Sequence, residues 1–236
     1  VLLRYAPDRV PMTLEEVRSF MGKTVAEIAA AALPNFPEEE RVEVFNRCSI
    51  EVLPWLREHP GSIYPKVPEI LHLLSKEYPL YIVSNCQDGY IQTFLEVSGL
   101  GDCFAGFTCS GMTGHGKGEN LKMMVEKHQI QRPLYIGDTQ GDCNACRVAG
   151  VPLIHAAYGM GQVDHEVMRI ERFADLLELI PTILKDYLSG FTHNRRAGFQ
   201  GRNPAFLCPS LFLKPLWLFA LAQDQEAVVA LLLELV

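Results

Sequence analysis

The chain lacks an excess of positive charge: 21 Lys and Arg stand against 28 Asp and Glu, a net charge of −7. That sign repels phosphate backbones and excludes nucleic-acid binding driven by electrostatics. A cysteine framework is missing too. The seven cysteines are odd in number and scattered, which predicts free thiols in a reducing cytoplasm rather than disulfides. Cys143 and Cys146 form a CxxC, but no second pair accompanies it as a zinc site would need, so both are expected to pack a helix. No internal repeat and no signal-peptide pattern are found. Nor is there an uninterrupted apolar run of membrane length. The most apolar stretch, Ala205–Ala222, is broken by Pro209, Lys214 and Pro215 and sits at the short limit for a span, so a membrane role is not expected. Before residue 80 no segment reads as a strand.

What is present is ordinary for a soluble globular protein, with 48% hydrophobic and 21% charged residues over 236 positions. That length holds one sizeable core or two small domains. Residues 14–60 read as helices. Thr13 followed by Glu16 predicts a capping box, and Glu38, Glu39 and Glu40 place acids at the start of a long helix, as the helix dipole favours. From residue 80 short apolar runs alternate with helical patterns. Strands are expected at Leu80–Ser84, Cys103–Phe107, around LYIGD and at VPLIHA. Helices are expected after Asp88 (a candidate N-cap) up to Gly99, over GENLKMMVEKHQI, over GDCNACRVAG up to Gly150, and over RFADLLELIPTIL. Alternation of this kind predicts an α/β fold, a Rossmann-like parallel sheet with right-handed crossovers. In such sheets ligands sit beyond the carboxyl ends of the strands, where Ser84 and Asp138 both fall. A helix start directly behind Ser84 would offer an anion free N–H groups.

Three segments stand in order along this rhythm: VSNC with Ser84 and Asn85, HGKGEN with Lys117, and IGDTQGD with Asp138 and Asp142. Singly, each has a plain reading. Ser84 caps, Lys117 is solvated, and Asp142 is an acid on a helix N-terminus stabilised by the dipole. His115 reads as a turn residue without a role. Order, spacing and strand-end placement make the set more specific than its parts.

The set resembles the haloacid dehalogenase (HAD) superfamily of phosphohydrolases, in its phosphoglycolate-phosphatase-like branch, over roughly residues 14–184. The resemblance implies a helical cap over residues 1–63, an α/β core over 64–186 and an atypical apolar C-terminal extension over 187–236. It implies that Ser84 and Lys117 are catalytic and that Ser84, Asn85 and Lys117 hold the phosphoryl group. It makes Asp138 a Mg²⁺ ligand, with Asp142 supporting the metal's water shell or orienting Lys117. SFMGKT (Ser19–Thr24) resembles the cap loop that closes over substrate, with Lys23 as its contact to a substrate carboxylate. The function implied is Mg²⁺-dependent hydrolysis of a small phosphorylated metabolite, 2-phosphoglycolate at family level. A sugar-phosphate phosphatase or phosphomutase of the same branch, and a non-catalytic HAD-like binding protein, are the alternatives. The chemistry is consistent: Mg²⁺ prefers oxygen and keeps waters, and phosphoryl transfer needs positioning and charge neutralisation.

One part of the family pattern is absent. No DxDGT segment, the family's nucleophile and general acid/base, precedes the cap. Asp8 lies between Pro7 and Arg9 with no strand run ending at it. The first, central strand is therefore expected to be missing, leaving its two neighbours about 10 Å apart or collapsed together. With Val at position 1, a chain truncated at its N-terminus and possessing a dispensable tail is expected, its core staying folded when residues after Lys185 are removed.

Overall fold

The structure, a computed structural model, describes residues 1–165 and 167–184 and the backbone of 227–231. The apolar stretch Ala205–Ala222 lies outside the described residues. Among the described residues no helix is long and apolar enough to cross a membrane.

The N-terminal part is helical: α1 (Leu2–Tyr5), α2 (Leu14–Arg18), α3 (Val25–Ala32) and α4 (Glu38–Glu58). Thr13 caps α2 by accepting from the Glu16 amide at 3.1 Å. The reciprocal half of the expected capping box is not made, because the Glu16 carboxylate is taken by Arg9. A full capping box instead opens α3, between Thr24 and Glu27. Arg57 of α4 pairs with Glu96 of the core at 2.8 Å.

The core then alternates: α5 (Val67–Glu77), β1 (Leu80–Ser84), α6 (Tyr90–Ser98), β2 (Gly106–Cys109), α7 (Ser110–Thr113), α8 (Lys117–Lys127), β3 (Arg132–Gly137), α9 (Gln140–Ala149), β4 (Leu153–Ala156), β5 (Met168–Ile170) and a helix over 176–184, here α10. Strand alternation sorts the core into two layers. Leu80, Leu134, Ile136 and Ile154 pack with Val67, Leu71, Leu176 and Ile180 of α5 and α10. Tyr81, Val83, Tyr135 and Leu153 pack with Leu121, Met124, Cys143 and Cys146 of α8 and α9. Both members of the CxxC are thus buried helix residues, as expected. The second strand starts at Gly106 rather than Cys103, which sits in a 3₁₀ turn. Gly89, not Asp88, is the N-cap of α6; the Asp88 carboxylate accepts from the Gly89 amide and from Gln92.

All strands pair in parallel, in the order β2-β1-β6-β3-β4-β5, where β6 is Ala227–Leu231. This corrects the expectation of an empty centre. β6 pairs with β1 through Leu80–Val229 and Tyr81–Ala230, and with β3 from Arg132–Ala227 to Ile136–Leu231. The end of the C-terminal extension is thus the middle of the sheet. The physical reason is that two central edges of unpaired N–H and C=O groups are costly under helices on both faces. A continuous apolar run such as AVVAL fits a doubly covered strand, and periodicity cannot tell it from a buried helix. Truncation after Lys185 is therefore expected to destabilise the fold by more than about 3 kcal/mol, given roughly 1 kcal/mol for each ladder hydrogen bond lost. Urea unfolding of the truncated chain checks this; an unchanged midpoint would show that β6 does not hold the sheet.

Candidate functional site

The carboxyl ends of β1 and β3 deliver Ser84 and Asp138, and α8 and α9 open beside them at Lys117 and Thr139. The centre of the site is a buried ion pair. Lys117 Nζ lies 2.6 Å from Asp142 Oδ1, with side-chain exposures of 2% and 0%. The second oxygen of Asp142 accepts from the Thr139 hydroxyl at 2.7 Å, the Thr139 amide at 3.0 Å and the Asp138 amide at 3.2 Å. The Tyr135 hydroxyl lies between Asp142 Oδ1 (3.1 Å) and the Val83 carbonyl (3.0 Å). Burial on its own raises the Asp142 carboxyl, but the Lys117 charge and hydrogen bond, with the Thr139 bonds, outweigh it and hold it below the usual carboxylate range. Its oxygens accept from Lys117, Tyr135, Thr139 and the Asp138 amide, so the geometry pairs Asp142 with Lys117.

Asp138 is in a different electrostatic state four residues away. It is 8% exposed, and its Oδ2 accepts from the Met160 amide at 2.7 Å. Burial pushes its carboxyl above the usual range; the Met160 bond opposes this, and the Asp142 charge adds to it. A desolvated oxygen donor with little compensating charge suits a hard divalent cation. Asp138 is thus a side chain that could hold one.

Ser84 Oγ accepts from the Cys86 amide at 3.2 Å, and α6 starts six residues later, at Tyr90. The helix N-terminus expected directly behind Ser84 is therefore not there; residues 85–88 intervene. The side chain of Asn85 acts as a brace. Its Oδ1 accepts from the Lys117 amide and the Ser110 hydroxyl, both at 2.9 Å, and its Nδ2 donates to the Gly22 carbonyl at 2.8 Å. One residue thus ties the loop Ser19–Thr24, the strand end and the start of α8. Gly22 has φ +76°, and a Cβ there would stand 3.0 Å from the Thr139 hydroxyl; the loop approaches that closely. Under it lies a cavity of about 220 Å³ lined by Phe20, Lys23, Ile28, Ser84, Tyr90 and Lys117, among others. Lys23 is 5.8 Å from the Phe20 ring centroid. His115, given no role from sequence, pairs with Glu119 on the surface.

Sequence reasoning missed the turn that clamps Asp138. A Cβ on Gly159 would lie 2.4 Å from Asp138 Cβ and Oδ2, so only glycine admits this approach. The GMG of residues 159–161 was a legible turn signal, but nothing local tied it to Asp138, which lies 21 positions earlier.

Four outcomes follow from this geometry. Asp142→Asn is expected to cost about 3–5 kcal/mol, because it leaves a lysine buried without its partner. Lys117→Met is expected to cost less, since Thr139 and Asp138 amides still serve the carboxylate. Denaturant midpoints give the order. The Asp142 stabilisation is present above its unfolded value of 3.8 and is lost as pH falls through the lower folded value, so wild type and Asp142→Asn are expected to converge in stability below that pH. Gly159→Ala is expected to destabilise by about 1–3 kcal/mol through overpacking against Asp138, which thermal unfolding measures.

The chain is similar in fold to several solved structures. A haloacid dehalogenase-like family protein of Streptococcus pneumoniae matches with TM-score 0.59 at 20% identity, covering 76% of this chain and 86% of that one. A predicted phosphoglycolate phosphatase of Haemophilus somnus matches with TM-score 0.61 at 20% identity, covering 76% and 87%. A HAD-hydrolase of Bacillus subtilis, bound to magnesium, matches with TM-score 0.54 at 17% identity, covering 76% and 87%. No curated protein matches. The family model for haloacid dehalogenase-like hydrolases matches residues 2–156, a span that carries Ser84, Lys117, Asp138 and Asp142 in one site. The chain belongs to the haloacid dehalogenase-like hydrolase family.

Proposed function

We propose that this chain binds a small phosphomonoester together with Mg²⁺, in the manner of a HAD-type phosphatase, with 2-phosphoglycolate as the substrate. The observation that carries the reading is the Lys117–Asp142 pair at 2.6 Å beside a desolvated Asp138, at the strand ends where Ser84 opens the cavity. Asp142 orients Lys117 and keeps its ammonium at one place, as a fixed charge for phosphoryl oxygens. Ser84 and the backbone amides after it donate to the same group, while the Asn85 side chain braces the loop. Asp138 would hold the Mg²⁺, which supplies neutralisation of phosphoryl charge when bound. The loop carrying Lys23 covers the cavity, excludes water and offers a cation for the substrate's carboxylate. A cap over 1–63 and a core over 64–186 are the working division, and the six described free thiols fit a cytoplasmic location.

A second reading, a non-catalytic phosphate-binding protein, is favoured by one specific observation. Among the described residues the central strand, Ala227–Leu231, carries no carboxylate, and without a nucleophile no aspartyl-phosphate forms. Titration of 2-phosphoglycolate into the chain with and without Mg²⁺, followed by a phosphate-release assay, separates the readings. Mg²⁺-dependent binding is expected, weakened at least about tenfold in Lys117→Ala, which removes a charge-assisted contact, and stripped of its Mg²⁺ dependence in Asp138→Asn. Release of phosphate above the buffer rate assigns the enzyme; binding without release assigns the binding protein. Absence of binding in wild type overturns both.

A further inference from the structure

The geometry points to a second cation site, built from Cys143, Asp164 and His165 and selective for a borderline-soft metal such as Zn²⁺. Among the described residues this is the cluster of three whose ligand atoms lie within 4.8 Å of one another. Cys143 follows Asp142 on the first turn of α9 and is 2% exposed. Asp164 and His165 lie on the connection from β4 to β5, their side chains 60% and 39% exposed. The site therefore has one buried wall and one open side, by which an ion can enter.

The distances fit coordination. Cys143 Sγ is 3.6 Å from His165 Nε2. Zn–S near 2.3 Å and Zn–N near 2.0 Å, set at a tetrahedral angle, require a separation of about 3.5 Å between the same atoms. His165 Nδ1 is 2.5 Å from Asp164 Oδ1. Cys143 Sγ also lies 3.9 Å from Nδ1, so the thiol faces the flank of the ring; to take an ion the imidazole turns to aim Nε2 at it, and Asp164 leaves Nδ1 to ligate beside it. Thiolate, imidazole and carboxylate together favour zinc or cobalt over Mg²⁺, which wants oxygen alone. Water completes the shell. Binding breaks the Cys143 S–H bond, and its proton leaves to solvent as the sulfur takes the metal.

A cation already stands at this place. Arg147 Nη2 lies 2.9 Å from His165 Nδ1 and 3.3 Å from Asp164 Oδ1. Its side chain is half exposed and also reaches Asn144 at 3.3 Å, so it can swing out when a metal enters. The position has a consequence for the other site. The same connection carries Met160, whose amide holds Asp138, and the Asp164 amide donates to Gln140 of α9 at 2.9 Å. A metal bridging Cys143 and His165 would staple this connection to α9 and steady the clamp on Asp138.

Cobalt is the probe. The reduced, chelator-treated full chain is titrated with Co²⁺ and then back-titrated with Zn²⁺. One equivalent is expected to bind with a thiolate-to-cobalt absorption band in the near ultraviolet, which zinc displaces. The band is expected to persist in Asp138→Asn, separating it from the phosphatase-site cation. It is expected to vanish in Cys143→Ala, and to need at least about tenfold more cobalt in His165→Ala. Arg147→Ala, which removes the competing charge, is expected to bind more tightly. His165 is exposed, so its variant tests the site even should the buried cysteine variant not fold. No band in wild type, or a band unchanged in both Cys143→Ala and His165→Ala, overturns the proposal.

Discussion

The contact on which the site depends is the ion pair between Lys117 and Asp142. Two charges taken out of water repay their desolvation only when every remaining lone pair and proton is served. Here the carboxylate is served by Thr139, the Asp138 amide and Tyr135 as well as by the lysine. Those donors come from the end of β3 and the first turn of α9, while the lysine comes from the first turn of α8. The pair therefore fixes the mutual placement of two helices and a strand. It also sets the electrostatics around it. One carboxylate is neutralised and driven to stay ionised; its neighbour four residues away is desolvated, receives no such partner and is pushed the other way.

Around this pair the loop Ser19–Thr24 is held by a bond that belongs to neither core layer. The carboxamide of Asn85 joins Gly22 on one side to Lys117 and Ser110 on the other. Closure of the loop and placement of the lysine thus share a residue. Gly22 matters for the same reason: its left-handed backbone and missing Cβ let the loop settle against Thr139, the residue that caps α9 and binds Asp142. The cover of the cavity and the charge at its floor are mechanically one assembly.

Most of the sheet was legible because its strands announce themselves. LYIVS and LYIG are apolar runs bounded by turn residues, and the helices between them end at Gly99 and Gly150, both in the left-handed conformation their positions require. Ser84, Lys117, Asp138 and Asp142 were found by order and spacing, and the structure brings them together. What failed did so for nameable reasons. The three-residue β5 is too short to carry a period. The helix α5 went unnamed between the long α4 and the first strand. The sequence shows Asn85 as a polar residue at a strand end, but not that its carboxamide meets Gly22, Ser110 and Lys117. The sequence does not show that Asp142 is fully buried with Lys117 against it. Thr13 and Glu16 match a capping box, yet Arg9 outcompeted the backbone for Glu16, a partner no three-residue pattern contains.

The deepest error concerned the centre of the sheet, and it separates two demands that the site places on one position. A parallel sheet under two helical layers needs a strand between β1 and β3 to satisfy backbone groups on both sides. That demand is blind to side-chain chemistry, and an apolar segment from the far end of the chain meets it, in register with both neighbours. Phosphoryl transfer by the family's route needs something else at the same place: a carboxylate projecting from the strand's carboxyl end toward Ser84 and Asp138. Ala227–Leu231 has none. Hydrogen-bond pairing recruits a strand by backbone and hydrophobicity, whereas catalysis recruits by a single functional group. Lys117, Asp142 and Asp138 are placed by β3, α8 and α9 rather than by the side chains of the central strand.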